Sequence, residues 1–362
     1  MAIIETSFSK FPDILKRAGV CRPMLVCGTT VQKRLTAEQR AAIPQNAVLF
    51  DGFSPNPVYE DVMNGVALFR QHHCDAVISI GGGSAMDVAK CIQLYSGMPA
   101  DAFCLTYPAT DSGVFHLAIP TTAGTGSEAT RFAVIYYGGM KQSVHHDSII
   151  PQAVILEPAL LETLPTYQRK ATALDALCQA IESVWSVHST ADSLDYAERA
   201  IGLLLPHIRA YVDGDNRVIG DMLMGSHLAG KAINITQTTA PHAMCYKLTT
   251  LFGLAHGHAV ALCMQGVWAH MAANTALCRD ARGKAVLEAA LDRLTRLFGA
   301  ESAADAAERF AALVRALELE VPKPTEAQMA EMVGAVNESR LKNHPVTLDQ
   351  ATMEQIYHTV LS

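Results

Sequence analysis

Apolar positions along this chain follow two regimes. Up to about residue 158, short unbroken apolar runs alternate with stretches of helical period. Pro23-Met24-Leu25-Val26-Cys27-Gly28 reads as a strand that ends at a glycine, and Ala47-Val48-Leu49-Phe50 as a second, closed by Asp51-Gly52. Asp75 to Ile80 is a third, running into three glycines; His116–Pro120 and Ala153–Leu156 complete the set. Helical stretches over 58–73 and 85–95 lie between them. Unbroken rather than alternating apolar runs mark strands covered on both faces, so the pattern predicts a mostly parallel sheet flanked by helices.

After Pro158 the pattern becomes helical throughout. Thr166 is placed to cap a helix reaching about Trp185, and further helices are predicted over 191–211, 217–233, 257–273, 284–298, 302–317, 325–337 and 349–361. The expected organisation is an α/β domain over 1–160 followed by an all-helical domain over 161–362. No repeat or low-complexity linker separates them, which suggests close packing around a cleft.

A length of 362 residues fits two cores better than one. Half the residues are hydrophobic and 17% are charged, the balance of a well-buried globular chain. The net charge of −7 and the scattered lysines and arginines argue against a nucleic-acid partner. Nine dispersed cysteines without a Cys-x-x-Cys pair suggest reduced thiols and a cytoplasmic location. No secretory leader or membrane span is expected.

Candidate chemistry gathers in two places. Gly81-Gly82-Gly83-Ser84-Ala85-Met86-Asp87 follows a predicted strand and opens a helix, where free N–H groups and the helix dipole suit a pyrophosphate. It matches neither Gly-x-Gly-x-x-Gly nor a Walker loop, and a tight turn would use glycines in the same way. Pro120 to Glu128, with Thr121, Thr122, Thr125 and Ser127, is a second loop after a strand, dense in hydroxyls and glycines. Gly28-Thr29-Thr30 follows the first clear strand without an acidic residue to grip a ribose 2′-hydroxyl, which leaves NADPH as acceptable as NADH.

The second place is the helical half. Asp175 and Gln179 lie four apart on one helix face; His242 follows Pro241, and His256 lies between Gly253 and Gly257. Asp175, His242 and His256 make three firm donors and Gln179 a weaker carbonyl donor, leaving an open position, as a catalytic Fe²⁺ or Zn²⁺ site requires. Metal with nicotinamide points to carbonyl–alcohol redox chemistry.

These residues, with Pro55-Asn56-Pro57, Gly81-Gly82-Gly83-Ser84-x-x-Asp87-x-x-Lys90, Leu164-Pro165 and Asp175-Ala176-Leu177, resemble the iron-containing (group III) alcohol dehydrogenase family over nearly the whole chain. The resemblance implies a Rossmann-like dinucleotide-binding domain followed by a helical metal-binding domain, in a homodimer or larger assembly. It further implies a cofactor lined by Asn56, Gly83, Ser84, Asp87, Thr121, Thr122, Thr125 and Lys141. The family's metal set is Asp, His, His, His; here Gln179 takes the second place. Tyr246 stands where many members carry a histidine near the nicotinamide, and becomes the candidate proton relay. Segments around Leu174–Ser183, Ala240–Thr249 and Lys141–His146 resemble the branch that reduces phosphonoacetaldehyde to 2-hydroxyethylphosphonate. For a small anionic aldehyde, Lys231 and Lys247 are the candidate head-group cations, with Arg131 and Arg169 behind them. Sulfoacetaldehyde, succinic semialdehyde and short-chain aldehydes suit the same centre. A dehydroquinate synthase-like lyase shares the architecture, and a reductase without metal is a further alternative.

Overall fold

A computed structural model describes residues 3–336 and 341–361. The chain divides into two compact units, Met1–Leu164 and Pro165–Ser362.

The first unit is built on six strands: β1 (Ile3–Glu5), β2 (Pro23–Val26), β3 (Val48–Phe50), β4 (Ala76–Gly81), β5 (Phe115–Pro120) and β8 (Ala153–Ile155). They pair in the order β1-β8-β5-β4-β2-β3, and every pairing is parallel. All residues of β2, β4 and β8 are buried, which is why these runs do not alternate. The chain steps outward from β2 to edge strand β3, then returns to β4 on the other side of β2. That reversal opens a crevice at the carboxyl ends of β2 and β4, where α/β sheets bind ligands. Gly28 leaves β2 there, and the Gly81–Gly83 turn links β4 to α5 (Gly83–Tyr95).

Strands β6 (Phe132–Tyr137) and β7 (Met140–His145) form a separate antiparallel hairpin, turned by Gly138 and Gly139 at φ +56° and +75°. Gly-Gly supplies the positive φ at both positions that a two-residue hairpin turn requires. The patterns above leave this hairpin and β1 unannounced.

The second unit is helical among its described residues. Helix α6 (Thr166–Trp185) runs through it, buried almost continuously from Ala173 onward. Thr166 is its first helical residue, and Pro165 occupies the cap position instead. The helix expected over 191–211 breaks in two, at Ala191–Leu204 and Ile208–Val212, because Pro206 cannot donate to the helical ladder. Ile219–Thr236 is followed by α10 (Ala240–Phe252), which the apolar periodicity does not announce, and then by α11 (His256–Ala273). Trp185 and Trp268 meet edge-to-face at 5.6 Å in the core between α6 and α11. Lys284–Leu297, Ala303–Ala316, Glu326–Gly334 and Gln350–Val360 follow among the described residues. The expected helix end at 337 lies outside the described residues. No described helix is long and apolar enough to cross a membrane.

Candidate metal centre and dinucleotide site

Helix α6 carries Asp175 and Gln179 one turn apart on a buried face. Pro241 lies in the first turn of α10, where a missing N–H costs nothing, and places His242 in that turn. His256 is the first residue of α11. One ligand atom each from Asp175, His242 and His256 lie within 4.8 Å of one another, the one such cluster among the described residues. Asp175 Oδ1 and His242 Nε2 are 3.4 Å apart. Asp175 Oδ1, Gln179 Oε1 and His242 Nε2 are all buried without a hydrogen-bond partner. Three orphaned buried donor atoms on three of the four candidate ligands are costly unless a cation binds them. The donor set therefore fits a divalent ion with carboxylate, imidazole and amide oxygen ligands.

His242 is held from behind by a residue to which the motifs assign no role. Its Nδ1 meets Glu182 Oε2, and Glu182 has no exposed surface. The other carboxylate oxygen, Oε1, accepts from the Thr239 backbone N and Oγ1, both at 2.8 Å. Trp185 Nε1 donates to Thr239 Oγ1 at 3.0 Å. This chain aims His242 Nε2 at Asp175, the carboxylate–histidine arrangement that orients metal ligands. Gln237, at φ +56° in the left-handed region, turns the chain just before Thr239. Burial works against charge on His242, but Glu182 and Asp175 raise it to about 9. Burial likewise opposes ionisation of Asp175, yet His242 and His256 hold its carboxyl below the usual range. The two carboxylates thus favour positive charge between them. A signal for Glu182 was present: Asp175, Gln179 and Glu182 form an i, i+4, i+7 polar stripe on the mostly apolar stretch 173–185 of the helix.

Tyr246, one turn past His242, is half-buried and stacks on the His256 ring at 6.1 Å and 18°. Cys245 Sγ donates to the His242 carbonyl at 3.3 Å and lies 3.6 Å from His256 Nδ1. Lys247 forms an ion pair with Glu331 at 2.6 Å, and the Lys231 ammonium lies 4.2 Å from the centre of the Tyr196 ring. Arg169 is buried and donates to the Tyr211 carbonyl and Asn216 Oδ1, while Arg131 pairs with Asp147.

In the first unit, Gly82 caps α5 without a side chain, leaving Gly83 and Ser84 in the first turn. A Cβ on Gly83 would stand 3.0 Å from Thr125 Cγ2, and one on Gly82 3.5 Å from the Thr122 side chain. The two loops that the sequence singles out are therefore packed on each other, and Thr121 N donates to the Gly81 carbonyl at 3.0 Å. Asp87 is engaged by Ser127 Oγ at 3.1 Å, and burial pushes its carboxyl up to about 6. Asn56 adopts φ +56° between its two prolines, and the Pro57 carbonyl accepts from Tyr136 N. Lys141 pairs across the hairpin with Tyr136 and lowers the Asp87 carboxyl through its charge. Gly28 caps the short helix Thr29–Arg34, with Thr29 in its first position.

The chain thus joins a parallel α/β unit to a helical unit that carries an Asp/His/His cluster. Residues 2–158 match the iron-containing alcohol dehydrogenase family model, and residues 170–361 match the family's C-terminal model. The chain belongs to this family of oxidoreductases acting on CH–OH groups. It is 34% identical to phosphonoacetaldehyde reductase of Streptomyces viridochromogenes over 281 residues, 74% of this chain and 70% of that one. It is 35% identical to long-chain-alcohol dehydrogenase 1 of Geobacillus thermodenitrificans over 224 residues, 60% of this chain and 57% of that relative, less than two thirds of its length. Among solved structures, sulfoacetaldehyde reductase from Bifidobacterium kashiwanohense in complex with NAD⁺ superposes with a TM-score of 0.89 at 25% identity, covering 100% of this chain and 97% of the other.

Proposed function

We propose that the protein is a metal-dependent NAD(P)H aldehyde reductase whose substrate is a small aldehyde with an anionic head, phosphonoacetaldehyde foremost. The observation that carries the metal half is the convergence of three orphaned buried donor atoms on Asp175, Gln179 and His242, with His256 beside them. Support for the substrate class comes from two relatives named for acetaldehydes that bear a phosphonate or a sulfonate. A divalent ion, Fe²⁺ or Zn²⁺, would supply Lewis acidity to the carbonyl oxygen, and a nicotinamide the hydride.

The chain's own residues supply the rest. Asp175, Gln179, His242 and His256 would hold the ion, with Glu182 fixing the tautomer and direction of His242. The Gly82–Ser84 turn and the hydroxyls of Thr121, Thr122, Thr125 and Ser127 would hold the pyrophosphate and ribose, with Asn56, Asp87 and Lys141 around them. Gly28 and Thr29 present no carboxylate to repel a 2′-phosphate, which favours NADPH as a substrate alongside NADH. Tyr246 would deliver the proton that the reduced oxygen must gain, its ring kept in place by stacking on His256. Lys231 lies over the Tyr196 ring and is the stronger candidate for the anionic head, because Lys247 is already paired with Glu331. All nine cysteines are free, in keeping with a reducing compartment such as the cytoplasm, and a homodimer is the assembly we infer.

The test is a screen of NADPH and NADH oxidation against phosphonoacetaldehyde, sulfoacetaldehyde, succinic semialdehyde and propionaldehyde, with protein purified without chelator. The reading requires the highest kcat/KM for an anionic two-carbon aldehyde. A preference for the uncharged aldehyde would refute the substrate class, and turnover of none would refute the reductase reading.

A further inference from the structure

A fully buried ammonium lies beneath the glycine turn of the first unit. Lys90, two turns into α5, has no exposed surface. Its Nζ donates to Ser127 Oγ and Thr130 Oγ1, both at 3.0 Å, and to the Phe132 carbonyl at 2.8 Å. An ammonium has three N–H donors, and all three are committed here. Ser127 Oγ in turn donates a hydrogen bond to Asp87 Oδ1, one turn before Lys90 on the same helix. The acceptors all belong to the segment that leaves β5 and runs into β6. Helix and segment are thus bolted together from inside by a residue with no exposed surface.

Burying a charge is expensive even when it is paired, and an apolar side chain of similar volume would fill the space without that cost. Position shows what the charge secures. The segment held by Lys90 at Ser127, Thr130 and Phe132 is the one whose Thr122 and Thr125 side chains pack on Gly82 and Gly83. Four residues, 126–129, contain a glycine at φ +58° and a single 3₁₀ turn, a stretch with little regular structure of its own. Without an anchor, this loop could shift relative to the α5 N-terminus, and the hydroxyls would lose register with the N–H groups of the turn.

We propose that Lys90 is a positioning residue for the dinucleotide: by tying the Ser127–Phe132 segment to α5 it holds the threonine loop against the Gly82–Gly83 turn as one preformed phosphate cradle. This rests on the reading of the first unit as the cofactor-binding unit. Preformation lowers the ordering cost at binding, so the effect falls on cofactor affinity more than on turnover of the loaded enzyme.

The experiment compares wild type with Lys90→Met, Lys90→Arg and Thr130→Val. Each is titrated with NADPH and with NADH by quenching of protein fluorescence, and assayed for cofactor KM, kcat and melting temperature. Lys90→Met should raise the dinucleotide Kd and KM on the order of tenfold, a loss of about 1.4 kcal/mol, while kcat at saturating cofactor changes much less. Lys90→Arg should recover part of the affinity. Thr130→Val removes one arm of the clamp at a buried residue outside the proposed cofactor set, and should give a smaller rise in the same direction; it also serves if Lys90→Met fails to fold. A folded Lys90→Met or Thr130→Val with wild-type Kd would overturn the proposal alone, as would a loss confined to kcat. No dinucleotide binding by wild type would overturn the cofactor reading and the proposal together.

Discussion

Gly257 faces Ala171 with no room for a side chain: a Cβ on Gly257 would stand 2.0 Å from the Ala171 carbonyl oxygen and 2.6 Å from Asp175 Cβ. The start of α11 therefore lies directly against the backbone of α6, and this is what brings His256 within reach of Asp175. Gly257→Ala must push the two helices apart at the ligand cluster. We expect more than about tenfold loss of metal affinity with a parallel loss of kcat/KM, read by metal analysis after gel filtration. Full metal occupancy in a folded Gly257→Ala protein would show that the contact does not set the cage.

The Glu182 carboxylate is worth testing separately from the ligands it supports. Glu182→Gln keeps the shape but removes the charge behind His242, and should weaken metal binding by about 10–100-fold. Competition titration with a chromogenic chelator gives the number. His256→Ala, by contrast, removes a ligand and should abolish metal-dependent turnover outright while the fold survives; retained turnover would remove His256 from the centre.

Chelation should reverse cleanly. Protein stripped of metal is expected to lose aldehyde reduction and to regain it on addition of Fe²⁺, with Zn²⁺ as the parallel arm. Stripped protein that retained full activity would favour a reductase without metal and would assign the cage a structural role.

Acid stability follows from two buried histidines, one in each unit. Burial lowers His116, with the Lys90 charge adding to the effect, to about 3; its ring nitrogens lie 2.8 Å from Ser79 Oγ and 3.2 Å from Gln93 Oε1. Burial, then the charges of Arg279 and His270, lowers His344 to about 3 as well. Between the unfolded value near 6.5 and about 3, the unfolded chain binds the extra proton at each site, so stability falls as pH falls through that window. The expected slope is about 1.4 kcal/mol per pH unit for each histidine. Urea unfolding at pH 7, 6 and 5 measures it, and His116→Gln should flatten the slope of the first unit's transition. An unchanged slope in that variant would mean His116 is not buried as the neutral ring.

How far the sequence could be read depended on the length of each signal. Long buried strands such as β4 and amphipathic helices such as Ala303–Ala316 leave clear periodicities. Strand β1 has three residues, and α10 hides its period because Ala240–Cys245 is buried on all sides. The β6–β7 hairpin was legible in principle, since Phe132–Tyr137 is a β-branched and aromatic run ending in Gly-Gly. Asp175, His242 and His256 could be picked out because helix-boundary residues surround the histidines. Glu182, Thr239 and Lys90 could not be given roles so readily, because their partners lie up to 60 residues away and only the fold brings them together. The lysines proposed for substrate illustrate the converse: a position near the metal segment in sequence did not reveal that Lys247 meets Glu331, 84 residues on.

Asp175, His242 and His256 come from three different helices, so an ion gripping all of them is a cross-link as well as a reagent. Its binding energy would add to the folding energy of the helical unit, about 2.7 kcal/mol when free metal stands at 100 times Kd. Scarcity of the ion would then do more than silence the enzyme: the starved protein would melt earlier and present more of its chain to proteases, so its abundance would track metal supply.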